Sequence, residues 1–266
     1  MTPPQFPGTA LVTGASSGIG AIYADRLARR GHDLVLVARS GARLAALADR
    51  LVTETGRVVR TLAADLNDRA QLAAVEDVLR ADPNLTLLVN NAGVGAAAPL
   101  LQSDVDAMTR MIDLNVGALT RLAYAAAPGF VARGRGAIVN ISSIVAVAPE
   151  LLNGVYGASK AYVLALTQSL QHELGDKGVR VQAVLPGATA TAFWDAAGMP
   201  IERLPAGWVM SGEDLVDAAL AGLDAGELVT VPSLPDAADW QAFEAARRAL
   251  GPNLSHVKPA QRYCVA

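Results

Sequence analysis

Short apolar runs alternate with longer amphipathic stretches along most of the chain. The apolar runs are continuous, as in strands covered on both faces, whereas the longer stretches repeat their apolar positions with helical spacing. We predict strands at residues 9–13, 33–38, 58–63, 85–90, 136–141, 179–185 and 227–231. We predict helices at residues 18–30, 43–54, 69–80, about 104–128, 155–174, 212–223 and 236–250.

This alternation predicts an α/β fold: a doubly wound, parallel Rossmann-type sheet of about seven strands with helices on both faces. Its ligand is expected at the carboxyl ends of the strands. The composition does not shift along the chain, so we expect a single domain over residues 1–266, with its core at 7–232 and a C-terminal helix and tail at 233–266. The Pro- and Gly-rich segment 186–211 breaks the rhythm and is predicted to be a substrate lid.

Composition excludes several classes of protein. Of the 266 residues, 52% are apolar and 18% charged, which favours a large buried core over disorder. A net charge of −3 gives no general attraction for nucleic acid or anionic membranes. No apolar run reaches the ~18 residues of a spanning helix, residues 1–7 lack the pattern of a secretion signal, and Cys264 is the single cysteine. We therefore expect a cytoplasmic protein without nucleic-acid or membrane partners.

No metal site is predicted, because the three histidines are scattered without the spacing of metal ligands. They are His32, His172 and His256.

A glycine-rich turn follows the first predicted strand and opens the first predicted helix. Its sequence is Thr13-Gly14-Ala15-Ser16-Ser17-Gly18-Ile19-Gly20. Glycines allow the backbone to approach a cofactor, and the helix N-terminus offers free N–H groups and a positive dipole end to a pyrophosphate. A glycine-rich turn can also be an ordinary turn, but its position after the first strand favours a dinucleotide site.

The end of the second strand decides between NAD and NADP. An acidic residue there would bind both ribose hydroxyls and repel a 2′-phosphate, whereas this chain has Ala38-Arg39-Ser40. The Arg39 guanidinium can bind a phosphate, which predicts NADP; the alternative is a solvated loop arginine.

Tyr156 and Lys160 lie four residues apart, so on a helix they share one face. Reduction of a carbonyl needs a proton as well as a hydride, and a nearby ammonium favours the phenolate and lowers the pKa of a tyrosine. The alternative is an accidental pair on a surface helix. Only three lysines occur in the chain, which makes the placement of this one informative.

The order of these motifs resembles that of the short-chain dehydrogenase/reductase family over about residues 7–232. The resemblance rests on the Gly-x-x-x-Gly-x-Gly spacing, on Asn90-Asn91-Ala92-Gly93 after the fourth strand, on Tyr156-x-x-x-Lys160, and on Pro186-Gly187 after the sixth. It implies that a cofactor contacts Gly14, Ser16, Ser17, Gly18, Ile19, Gly20, Arg39, Asp65, Leu66, Asn91, Ala92, Gly93, Tyr156, Lys160, Pro186, Gly187, Thr189 and Thr191.

The resemblance also implies the catalytic roles. Tyr156 would be the acid/base, and Lys160 would lower its pKa and bind the nicotinamide ribose. Ser143, thirteen residues before the tyrosine, would hold the substrate oxygen. Ser142 competes for that role, but alternation along a strand sends the two side chains to opposite faces. Asn115 would mark a helix kink whose carbonyl holds a relay water; alternatively it is a tolerated polar residue.

The predicted function is NADP(H)-dependent interconversion of a ketone or aldehyde and an alcohol. The alternatives are a non-catalytic NADP-binding module and an NAD-preferring alcohol dehydrogenase; an epimerase or dehydratase would need a larger C-terminal domain. An apolar small-molecule substrate is predicted, because the segments expected to line the pocket carry few charges, although lid residues can equally pack on one another. Those candidate residues are Val145, Leu151, Leu152, Asn153, Phe193, Trp194, Met199 and Trp208.

A homodimer or homotetramer is also predicted. The helices near 104–128 and 155–174 resemble those with which the family forms a four-helix interface. The strand at 227–231 offers a second contact that the C-terminal helix and tail could remodel.

Overall fold

The structure, a computed structural model, describes residues 8–263, and its centre is a parallel seven-stranded sheet. The strands are β1 (Thr9–Thr13), β2 (Asp33–Ala38), β3 (Val59–Ala63), β4 (Leu85–Asn90), β5 (Gly136–Ile141), β6 (Val179–Val184) and β7 (Val229–Thr230). Their order across the sheet is β3-β2-β1-β4-β5-β6-β7. The predicted doubly wound α/β fold is therefore confirmed.

The helices that cover the sheet follow the predicted alternation. They are α1 (Gly18–Arg29), α2 (Gly41–Thr55), α3 (Arg69–Ala81), α4 (Val105–Ile112), α5 (Leu119–Arg133), α6 (Gly154–Leu174), α7 (Phe193–Ala196), α8 (Gly212–Ala225) and α9 (Ala237–Ala249). One helix prediction is wrong in form: a π-helical segment, Asp113–Ala118, separates α4 from α5, and α5 continues to Arg133. The seventh strand is also shorter than the predicted residues 227–231.

Two apolar cores lie on opposite faces of the sheet. The first packs the apolar faces of α1, α2 and α8 against the strands, and the second packs those of α3, α5 and α6. Every residue of β1, β4 and β5 is buried, which explains why their sequences are continuous apolar runs rather than alternating ones.

The strand order reverses between β1 and β4, which are hydrogen-bonded neighbours. From β1 the chain proceeds to β2 and β3 on one side, and from β4 to β5, β6 and β7 on the other. A crevice forms at such a switch point, beyond the carboxyl ends of the strands, because the following connections diverge. The glycine-rich turn follows β1 and Asn91 follows β4, so both flank this crevice.

The chain divides into two units with the boundary between Pro232 and Ser233. The first unit holds the whole sheet and α1 to α8. In the second unit, Asp236 caps α9 by accepting a hydrogen bond from Ala238 N, and the rings of Trp240 and Phe243 lie 5.2 Å apart. The organisation as a single domain stays a prediction. The leader at residues 1–7 and Cys264 lie outside the described residues.

No helix in the described part of the chain combines the length and apolar character needed to cross a bilayer.

Candidate active site

The turn after β1 is built so that only glycine fits at key positions. Gly14 has a φ of +65°, and a Cβ at Gly20 would lie 2.4 Å from the Gly14 carbonyl oxygen. The Asn91 side chain fixes the turn from β4, since its Nδ2 donates to the Thr13 and Gly14 carbonyl oxygens at 2.9 and 3.3 Å. Asn91 therefore holds the glycine turn against the centre of the sheet.

The start of the lid meets this turn. A Cβ at Gly18 would lie 3.4 Å from Thr191 Cγ2, so the two sequence-predicted cofactor residues are neighbours although 173 positions separate them. The N-terminus of α1 begins at Gly18, and Ser17 before it makes no side-chain cap. Free helix N–H groups beside close-packed glycine backbone suit a pyrophosphate, so the residues present fit a dinucleotide.

Two arginines lie at the end of β2. Arg39 and Arg43, which is in the first turn of α2, are exposed, and neither has an ion-pair or side-chain hydrogen-bond partner within residues 8–263. Sequence reasoning singled out Arg39 and missed Arg43; its position four residues further on was the available signal. Two unpaired guanidinium groups at this strand end make it a suitable anion site.

Some predicted cofactor residues also form hydrogen bonds or pack within the fold. The Asp65 carboxylate accepts a hydrogen bond from Asn67 N at 3.0 Å, whereas the Leu66 side chain is buried in the core and can meet a nucleotide only through its backbone. Ile19 also packs against the core. Pro186 is buried, and its carbonyl oxygen accepts a hydrogen bond from Ile144 N at 3.0 Å.

Ser143 and Tyr156 converge beyond the end of β5. Both residues are buried, and the Ser143 hydroxyl donates a hydrogen bond to the Pro186 carbonyl oxygen at 3.4 Å. The Ser143 hydroxyl also accepts a hydrogen bond from Val145 N at 3.3 Å. Ser142 faces the other way and donates to the Lys160 carbonyl oxygen at 2.7 Å. The alternation along the strand thus places Ser143, and not Ser142, beside the tyrosine hydroxyl.

Lys160 completes this group from the next turn of α6. Its Nζ donates to the Ile141 carbonyl oxygen at 2.9 Å and lies 5.9 Å from the centroid of the Tyr156 ring. Burial disfavours the charged ammonium and lowers the pKa of Lys160 to about 8. The ammonium is therefore held by one backbone carbonyl and placed over the face of the tyrosine.

The lowering of the tyrosine pKa by Lys160 stays a prediction, and in the chain on its own the pKa of Tyr156 is raised. Burial raises the pKa of Tyr156 to about 12, and the Ser143 hydroxyl only partly opposes this. Desolvation penalises the phenolate more than the neighbouring groups of the chain stabilise it. The Tyr156 side chain is thus neutral at physiological pH.

Asn115 lies in the π-helical segment and is buried. Its Nδ2 donates to the Val94 carbonyl oxygen at 2.9 Å and to Ser159 Oγ at 3.1 Å, and its Oδ1 accepts from Val94 N at 3.0 Å. A Cβ on Gly93 would lie 3.0 Å from Asn115 Oδ1 and 3.4 Å from Lys160 Nζ. The π-helical segment therefore brings Asn115 to the lysine end of the site, as such bulges often do at functional positions.

The loops around Tyr156 form a small third apolar cluster. Val145, Leu152 and Phe193, which were predicted to line a substrate pocket, pack in this cluster, and it also contains Ala96, Met108 and Met111, which no motif marks. The structure does not place Leu151 and Trp208 in this cluster; they are 52% and 69% exposed.

Asn153 is a helix cap rather than a pocket residue. Its Oδ1 accepts hydrogen bonds from Val155 N and Tyr156 N, and its Nδ2 donates to the Ala98 carbonyl oxygen at 2.6 Å.

Within the described residues, no group of three or more His, Cys, Asp and Glu side chains is arranged to hold a metal ion.

Proteins of known family and known structure are similar to this chain. The sequence matches the family described as short chain dehydrogenase over residues 8–199. A short-chain dehydrogenase from Sphingobium yanoikuyae, solved in complex with NADPH, is 52% identical, with a TM-score of 0.94 and 97% and 100% of the two chains covered. The bulky-bulky ketone specific alcohol dehydrogenase from Comamonas testosteroni is 47% identical, with a TM-score of 0.89 and 97% and 99% covered.

A curated protein of different substrate chemistry is also similar. Sulfoacetaldehyde reductase 2 from Chromohalobacter salexigens is 40% identical over 187 residues, which are 69% of this chain and 73% of that protein. The named substrates of these similar proteins therefore range from bulky ketones to a charged aldehyde.

Proposed function

Because the chain belongs to the short-chain dehydrogenase/reductase family of oxidoreductases, we propose that it interconverts an apolar ketone or aldehyde and the corresponding alcohol with NADP(H). The observation that supports this most is the convergence of Ser143, Tyr156 and Lys160 at the carboxyl end of β5, beside a turn that fits a dinucleotide. When bound, NADPH supplies the hydride that the carbonyl carbon receives.

The residues of the chain supply the proton and the polar contacts. Tyr156 donates its hydroxyl proton to the carbonyl oxygen as the alcohol forms, and in the reverse direction takes it back. Ser143 donates a hydrogen bond to the same oxygen and stabilises the negative charge that develops there. Lys160, with its ammonium over the tyrosine ring, stabilises the phenolate that proton donation leaves. Asn115 sits at the lysine end, where it supports transfer of a replacement proton.

The preference for NADP is supported by Arg39 and Arg43. An unpaired guanidinium can bind a 2′-phosphate with two parallel hydrogen bonds, and no acidic residue at the end of β2 opposes it. The apolar substrate is supported by the cluster around Tyr156, whose members carry no charge.

Cytoplasmic location and self-association belong to this proposal too. Large side chains are exposed along the helices that carry or flank the site, among them Ile112, Tyr124 and Tyr162. Thr120 and Tyr162 hydroxyls hydrogen-bond at 2.9 Å and tie α5 to α6. A homodimer or homotetramer that forms through α5 and α6 would bury these exposed side chains. Light scattering would then measure a mass of two or four chains.

The test is a kinetic comparison of cofactors and carbonyls. We expect kcat/KM to be higher with NADPH than with NADH, and higher for phenyl ketones than for sulfoacetaldehyde. Arg39→Asp should reverse the cofactor preference, because a carboxylate repels the 2′-phosphate and binds the ribose hydroxyls. Arg135→Asp, a charge change at an exposed arginine that precedes β5, is the matched control.

Two results would contradict the proposal. An unchanged NADPH/NADH ratio in Arg39→Asp would remove the cofactor assignment, and a preference for charged carbonyls would remove the substrate assignment.

A further inference from the structure

The lid residue Phe193 packs directly against the proposed acid/base. The ring centroids of Phe193 and Tyr156 are 5.8 Å apart with a tilt of 43°, and both side chains belong to the apolar cluster with Val145 and Met111. A carbonyl whose oxygen reaches the Tyr156 hydroxyl must therefore place one of its two substituents near this phenyl ring.

Gly95 is the residue that makes room for the ring. A Cβ at position 95 would lie 2.1 Å from Phe193 Cζ and 2.6 Å from its Cε2. The φ of Gly95 is not in the left-handed region, so its backbone would accept alanine. Glycine is thus required at position 95 by the lack of space and not by backbone conformation, because the tip of the Phe193 ring contacts Gly95.

The segments that carry Gly95 and Phe193 are held in place by hydrogen bonds of neighbouring residues. The Ala97 N–H donates to the Ala197 carbonyl oxygen at 3.1 Å, which ties the loop after β4 to the lid. Trp194 meets Phe193 edge-on at 5.6 Å, and its Nε1 donates to the Thr189 carbonyl oxygen at 2.9 Å. The segments on either side of the contact are therefore anchored, so that a group added at position 95 displaces the Phe193 ring rather than the backbone.

We propose that Phe193 and Gly95 form a specificity gate, in which the depth of the phenyl ring on Gly95 sets the size of the substituent accepted beside Tyr156. The inference rests on the proposed function. A methyl group at position 95 moves the ring by more than 1 Å to restore an ordinary carbon–carbon contact, and this displacement narrows the space beside the tyrosine. Removal of the ring widens that space.

The test measures kcat/KM with NADPH for isobutyrophenone and for acetophenone, which differ by two methyl groups on one side of the carbonyl. We expect Gly95→Ala to lower the ratio of the first value to the second by about tenfold or more, and Phe193→Ala to raise it by a similar factor. The double variant should behave as Phe193→Ala, because the methyl group then has no ring to displace. Gly251→Ala, where a Cβ meets no atom within 4 Å, and Phe243→Ala are the matched controls, and both residues lie in the second unit.

The Tm values of wild type, the two single variants and the double variant measure the contact between Gly95 and Phe193 independently of enzyme activity. Gly95→Ala should lower Tm by about 2–4 °C or more when Phe193 is present, and should have no such effect in Phe193→Ala. An equal drop in both backgrounds, or size ratios that stay within twofold of wild type, would overturn the gate. A wild-type chain that turns over no carbonyl would instead refute the proposed function, and the gate with it.

Discussion

At the scale of single residues, burial shifts two neighbouring groups of the site in opposite directions. It lowers the pKa of Lys160 to about 8 and raises the pKa of Tyr156 to about 12, because both neutral forms are easier to desolvate than the charged ones. Lys160 stays largely cationic below pH 8, and within residues 8–263 its ammonium donates to one backbone carbonyl, that of Ile141. The site therefore holds a positive charge that is poorly solvated, and a bound anionic group would stabilise it.

This shift predicts a pH dependence of stability. Between pH 8 and 10 the unfolded chain binds more protons at Lys160 than the folded chain, so the free energy of unfolding should rise with pH in that window through this group. Tyr156 has a raised pKa and acts only above pH 10, where it has the opposite sign. In Lys160→Met the rise should be absent.

Urea unfolding of wild type and Lys160→Met at pH 7, 8, 9 and 10 checks this. The difference in the free energy of unfolding should move in favour of wild type as pH increases. Lys177→Met, at an exposed lysine, should track wild type. A difference that stays flat from pH 7 to 10 would contradict the assignment.

Residue types and spacing predicted that Ser143, Tyr156 and Lys160 lie together, but not the direction in which their pKa values shift. The alternation along β5 was enough to prefer Ser143 over Ser142, because backbone geometry alone decides it. The high pKa of Tyr156 depends on how many side chains exclude water from it, and residues such as Met111 and Phe193 that do so are far apart in sequence.

At the scale of elements, α6 is the one that positions the chemistry, and it is fixed at several points. Asn153 caps its first turn, Ser142 binds the Lys160 carbonyl oxygen, and Ser159 joins it to Asn115. These contacts hold the helix to the loop after β4, to the end of β5 and to the π-helical segment. Tyr156 and Lys160 are therefore oriented by three separate parts of the fold.

The cap gives an element-scale prediction. Asn153→Ala removes the acceptor for Val155 N and Tyr156 N and the donor to the Ala98 carbonyl oxygen. We expect a loss of about 1–3 kcal/mol in the free energy of unfolding. Asn153→Ser keeps a capping oxygen and should lose less. Urea denaturation measures the free energy of unfolding of both variants. A value for Asn153→Ala within about 0.5 kcal/mol of wild type, which is the effect of an ordinary surface substitution, would argue against the cap.

Elements were predictable where local pattern decides them. The first six strands were predicted to within one residue at each end, because buried parallel strands are continuous apolar runs, whereas β7 is three residues shorter than predicted. The break between α4 and α5 was not, because the π-helical segment is stabilised by bonds from Asn115 to Val94 and Ser159, which no local pattern records.

At the scale of the whole molecule, the parallel sheet gathers motifs that are distant in sequence. The glycine turn after β1, Asn91 after β4, Ser143 after β5 and Pro186 after β6 meet at one edge, because parallel strands end on the same side. This explains why motif order predicted so much of the site. The lid was predicted only as a segment: which aromatic residues face the tyrosine depends on its fold, so Phe193 packs there while Trp208 is exposed.

The most direct test of the central claim, that Tyr156 provides the proton for carbonyl reduction, is the Tyr156→Phe variant assayed for both NADPH binding and turnover. The phenyl ring keeps the packing against Phe193 but has no proton to give. We predict that Kd for NADPH stays within a few-fold of wild type, while kcat/KM for ketone reduction falls by about 10²–10⁴-fold. Tyr124→Phe, at an exposed tyrosine, should keep full activity. Ketone reduction by Tyr156→Phe at a rate close to wild type would contradict the account.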